Sequence, residues 1–132
     1  MPHLVIEHSA NVQTPMAALC DALRHCIVGF VDEQGQKPFP LAGTRVLAFA
    51  AHAASVADGG AHNAFVYLKL RIAKGRPSTT VAALGDALVG ICNAHFQTER
   101  STRPIGITLQ IDEGNEVFNA KIGNLHPHPA AK

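Results

Sequence analysis

Three residues stand where they could do chemistry together: Pro2, Arg45 and Arg76. Pro2 directly follows Met1, and methionine removal favours a proline in second place, so the mature chain is expected to begin with a secondary amine. That nitrogen is a proton acceptor on a rigid ring, and it becomes neutral near physiological pH once desolvation or neighbouring cations depress its pKa. A free N-terminal proline can therefore act as a base. The plainer reading is that Pro2 only permits Met1 removal, and the residues around it decide between the two. Arg45 opens the apolar stretch Val46-Leu47-Ala48-Phe49, and Arg76 stands in Ala73-Lys74-Gly75-Arg76-Pro77. A guanidinium binds a carboxylate through a two-point fork and lowers the pKa of a nearby amine. Taken alone, either arginine fits a solvated surface charge or a partner for a carboxylate. Beside a basic terminus they make an anion clamp.

The elements that must position these residues can be read from hydrophobic period. His3 to His8, with Leu4, Val5 and Ile6, reads as a short buried strand. Thr14 before Pro15 reads as a cap and first helical position, and Met16, Leu19, Cys20, Leu23, Cys26, Ile27 and Phe30 recur at helical spacing, predicting a helix to about Val31. After a loop rich in glycine and proline, Arg45 to Ala51 is a second strand. The second half repeats the order. Val66, Leu68, Leu70 and Ile72 alternate with more polar neighbours, Val81 to Phe96 keeps helical spacing after Ser78, and Ile105, Ile107, Leu109 and Ile111 alternate again. The chain beyond Asp112 is less regular and ends in a tail, His126-Pro127-His128-Pro129-Ala130-Ala131-Lys132.

The fold class expected is α/β: two fused β-α-β units, about 2–52 and 62–113, repeating at roughly 60 residues, in one domain over 1–132. Crossovers of one hand put both helices on one face of a four-stranded sheet. The strands carry apolar residues on both faces, so the bare face is expected to be covered by symmetric copies with their sheets turned inward. In a parallel unit both strands begin at the same edge, which sets Arg45 beside Pro2. Arg76, in the turn into the second helix, is placed to hold a second carboxylate.

Composition removes other classes. With 11 Lys and Arg against 10 Asp and Glu and only 5% aromatic residues, there is neither a basic field nor a stacking set for nucleic acid. No apolar run has the length of a membrane span, and the chain is expected to be cytoplasmic. Cys20, Cys26 and Cys92 form no disulfide set or redox pair and read as reduced core residues. The 8 histidines include no recognised metal-ligand frame, so neither a metal nor a cofactor is expected.

Met1-Pro2-His3 with Glu7, Ser9 and Asn11, then Pro40-Leu41-Ala42-Gly43-Thr44-Arg45, Asp58-Gly59, Ala64-Phe65-Val66 and Gly75-Arg76, together resemble the 5-carboxymethyl-2-hydroxymuconate delta-isomerases over nearly the whole chain. These belong to the tautomerase superfamily, whose short members, such as 4-oxalocrotonate tautomerase, are single strand–helix–strand units with an N-terminal proline. The resemblance implies Pro2 as catalytic base and Arg45 and Arg76 as the substrate-binding arginines. It also implies a homotrimer, a carboxylate-bearing dienol substrate from homoprotocatechuate degradation, and a cofactor-independent 1,3-proton shift. The first unit has the amine but no Gly-Arg pair after its first strand, and the second has Gly75-Arg76 but no free terminus. A complete site is therefore expected to combine both units across a subunit boundary. The alternatives are a tautomerase of another unsaturated keto acid and a non-catalytic, oligomeric anion-binding protein of the same fold.

Overall fold

Alternation of apolar residues in the strands and their recurrence in the helices produce a two-layer arrangement. The computed structural model describes residues 1–125, so the His126 to Lys132 tail lies outside the described residues. The elements are β1 (His3–His8), α1 (Met16–Gly29), β2 (Arg45–Ala50), β3 (Ala64–Ala73), α2 (Ser78–His95), α3 (Gln97–Thr102) and β4 (Ile105–Gly114). The sheet order is β2-β1-β3-β4. β1 runs parallel to β2 and β3 parallel to β4, while β1 and β3 meet antiparallel at the centre. Each half is thus the expected β-α-β unit, and both long helices pack on one face of the sheet and against each other. No helix among the described residues is long and apolar enough to cross a membrane.

The core lies between the sheet and the helices. Leu4 and Ile6 of β1 and Val66, Leu68, Leu70 and Ile72 of β3 turn inward onto Leu19, Leu23 and Ile27 of α1 and Leu84, Leu88 and Cys92 of α2. Each fully buried leucine or isoleucine contributes roughly 2 kcal/mol of transfer free energy. Burial pushes the Cys92 thiol up to about 11, as expected of an inert core thiol, and all three cysteines are free.

Several local expectations are corrected. Thr14 does not cap α1, because its hydroxyl is drawn to the buried Glu99 and Pro15 occupies the cap position without a side-chain bond. The helix ends at Gly29 rather than near Val31, since Phe30 is already extended. The short α3 was not foreseen, and β4 continues to Gly114. The bare face of the sheet does carry apolar residues, Leu47, Phe49 and Phe65 being exposed there, but beside the charged Glu7, Lys69 and Arg71. Period-two alternation on β1 and β3 sends these charges to the side away from the helices.

Candidate active site

Strand polarity decides which residues meet. His3 pairs with Arg45 across β1 and β2, and with Arg71 across β1 and β3, so the starts of β1 and β2 and the end of β3 share one end of the sheet. Ala73 in turn pairs with Gly114, which brings the end of β4 to the same place. The loop before β2 also closes on the terminus: a Cβ added to Gly43 would lie 3.5 Å from the Met1 nitrogen. Pro2 is buried behind Met1, and its carbonyl accepts the Arg45 backbone N–H at 3.2 Å.

A cavity of about 380 Å³ opens there, lined by Met1, Gly43, Arg45, Asn119, Lys121 and Ile122 among others. Arg45 is held by its Nε, which donates to His3 Nδ1 at 2.8 Å, while a terminal nitrogen donates to the Gly43 carbonyl at 3.3 Å. Burial and then the Arg45 charge lower the pKa of His3. That favours the neutral ring, whose Nδ1 can accept this bond.

Arg76 is fixed differently. Its guanidinium donates to the carbonyls of Ala73 at 3.0 Å and Pro38 at 2.8 Å and lies 4.5 Å over the Phe39 ring. A cation over an aromatic face contributes on the order of 1 kcal/mol, and both arginines lack a carboxylate partner among the described residues. Burial lowers the pKa of the amine at Met1, Lys121, Arg76 and Arg45 lower it further, and Glu116 opposes them. The charges of Arg45 and Arg76 therefore both reach the terminus, although of the two only Arg45 lines the cavity. Arg76 comes from the second unit, so residues of both units lie toward this end within a single chain.

Lys121 and His3 also stand at this end, and neither carries a signal in the sequence alone. The His3–Arg45 contact needs the strand register, and Lys121 sits on an aperiodic segment past β4 whose sequence carries no positional signal. A second cavity, about 240 Å³, lies at the opposite end of the sheet and is lined by Ser9, Asn11, His52, Ser55 and Asn63 among others. There the side-chain nitrogen of Asn11 donates to the carbonyl of Asn63 at 2.9 Å, and its buried oxygen has no partner. The described residues contain no cluster of three His, Cys, Asp or Glu side chains suited to a metal ion.

The family model of 5-carboxymethyl-2-hydroxymuconate isomerase matches residues 2–129. The 5-carboxymethyl-2-hydroxymuconate Delta-isomerase of Escherichia coli is 26% identical over 128 residues, covering 96% of this chain and 97% of that protein. A crystal structure of a 5-carboxymethyl-2-hydroxymuconate delta-isomerase superposes with a TM-score of 0.91 at 38% identity, covering 96% of this chain and 91% of that one. A fused 4-OT symmetric trimer superposes with a TM-score of 0.61 at 20% identity, covering 90% of this chain and 93% of that one, a likeness of fold alone.

Proposed function

The chain belongs to the 5-carboxymethyl-2-hydroxymuconate isomerase family and is an isomerase, and from that premise we propose that Pro2, freed by removal of Met1, is its catalytic base. The substrate is 5-carboxymethyl-2-hydroxymuconate, and the pathway is homoprotocatechuate degradation. The observation that carries this reading is the half-buried Met1 amine, next to Pro2, at a cavity that Arg45 lines, with the Arg45 and Arg76 charges both lowering that amine's pKa. Loss of Met1 would open the cavity onto the Pro2 nitrogen and leave that nitrogen in the same cationic surroundings.

The neutral amine takes the proton of the substrate's 2-hydroxyl or of an allylic carbon, and the electron pair left behind delocalises through the diene as a dienolate. Arg45 and Arg76 bind carboxylates and stabilise the charge that develops on the oxygen. The prolinium then returns the proton to a conjugated carbon. Proton and electrons balance within the substrate, so the step calls for no cofactor.

The assembly proposed is a homotrimer in the cytoplasm. Two open sheet edges, β2 and β4, support association of copies, and the fused 4-OT of like fold is a symmetric trimer. Turnover of 5-carboxymethyl-2-hydroxymuconate by Met1-free protein, set against homogeneous Met1-retaining protein, tests the base. Rapid turnover by the processed chain alone is expected, and full activity with Met1 in place would remove Pro2 from the mechanism.

A further inference from the structure

The segment after β4 carries a cation into the cavity that the two arginines do not account for. Asn119, Ala120, Lys121, Ile122 and Gly123 line it together with Met1 and Arg45. Among the described residues the Lys121 ammonium is in no ion pair, and the side chain is exposed. After burial, Lys121 is also the strongest influence lowering the pKa of the terminal amine, ahead of Arg76 and Arg45.

The three cations differ in how they are held. Arg45 is tied to His3 and Gly43, and Arg76 to two carbonyls and the Phe39 ring. Planar forks fixed in this way suit carboxylates whose positions are fixed by a conjugated chain. Lys121 has a flexible stem on a segment outside helix and strand, which suits a carboxylate on a rotatable arm. The proposed substrate has two carboxylates on its muconate chain and a third on its carboxymethyl group. We infer that Lys121 binds the carboxymethyl carboxylate and sets the preference of this site for a tricarboxylate over a dicarboxylate.

This rests on the substrate reading above, and the test separates the two. Wild type, Lys121→Met and Lys121→Arg are assayed on 5-carboxymethyl-2-hydroxymuconate and on 2-hydroxymuconate, which lacks the arm. Measurement above the ionisation of the amine keeps the base neutral in all three proteins, so any effect of Lys121 on its pKa drops out. The expected result is a loss of about 10- to 100-fold in the tricarboxylate-to-dicarboxylate ratio of kcat/KM for Lys121→Met, carried by KM and largely restored in Lys121→Arg. An unchanged ratio overturns the inference, even if both substrates slow together. If wild type turns over neither compound, the substrate reading fails. Calorimetry with propane-1,2,3-tricarboxylate and glutarate then decides whether Lys121 selects a third carboxylate. Loss of that selectivity in Lys121→Met supports the charge-counting role, and its retention overturns it.

Discussion

The amine at the chain's start lies among charges that nearly all act in one direction. Burial, Lys121, Arg76 and Arg45 lower its pKa below the usual 8.0, and only Glu116 raises it. That amine is Met1's; the Pro2 nitrogen proposed as base would meet the same charges once Met1 is removed, so kcat/KM is expected to rise with pH through an ionisation below that of a solvated proline amine. Nitrogen NMR of the labelled terminus checks the assignment. A terminal nitrogen that titrates well above the rise in activity would assign the base to another group. Arg45→Ala and Arg76→Ala are each expected to cut kcat/KM by about 10- to 1000-fold. Arg45→Ala should leave thermal unfolding almost unchanged, whereas Arg76→Ala also loses two carbonyl bonds and the Phe39 contact and should destabilise by about 1–2 kcal/mol. His3→Ala should cost less than Arg45→Ala, because it removes the acceptor that aims Arg45 and leaves the charge in place. Wild-type kinetics in a folded Arg76→Ala protein would deny that arginine its role. The placement of Pro2, Arg45 and Arg76 toward one end of the sheet was legible because each stands at the start of a strand or in a turn. Their neighbours were not, since His3 meets Arg45 only through the parallel register and Lys121 follows the last periodic segment.

Between elements, the most connected polar group is Glu99 of α3. It is almost fully buried, and its Oε1 accepts the backbone N–H groups of Gln13 at 3.1 Å and Thr14 at 2.7 Å as well as the Thr14 hydroxyl. Its other oxygen faces Arg103 at 3.4 Å. Burial pushes the carboxyl's pKa up, but the bonds from Thr14 and Gln13 and the Arg103 charge outweigh it, leaving the group below its ordinary 4.5. A carboxylate with a lowered folded-state pKa stabilises fully above its unfolded value and loses that contribution as pH falls through the folded value. Glu99→Gln is therefore expected to destabilise by about 1–3 kcal/mol at neutral pH, with the gap to wild type closing under acid, read by denaturant titration at several pH values. A gap that stayed constant down to acid pH would mean that charge is not what Glu99 contributes. This cluster also explains what periodicity could not reach. The partner of Thr14 is 85 residues away, so a local cap pattern suggested the wrong bond. The six residues of α3 are too few to show a helical repeat, whereas the long apolar patterns of β1, α1, β3 and α2 identified those elements and their common core.

For the molecule as a whole, one chain leaves much apolar surface uncovered. Phe118 is 86% and Ile122 99% exposed, and Leu47 and Phe49 lie bare on the edge strand β2. Sedimentation velocity at micromolar concentration is expected to give a homotrimer, and a stable, fully active monomer would contradict that assembly. The central antiparallel junction of β1 with β3 relates the two β-α-β units by an approximate two-fold turn. That turn exchanges the ends of the sheet, carrying the start of β1 onto the start of β3 and the 380 Å³ cavity onto the 240 Å³ one. Ala64 stands there where Pro2 stands in the first unit, two residues before inward Val66 as Pro2 is two before inward Leu4, and its nitrogen is locked in a peptide bond, donating to the Pro104 carbonyl at 3.0 Å. The second unit repeats the frame without the one group that exists only where a polypeptide starts. With Pro2 as the proposed base there is one reactive amine for every two units, so such a protein would multiply its reactive centres by adding subunits and not by lengthening the chain.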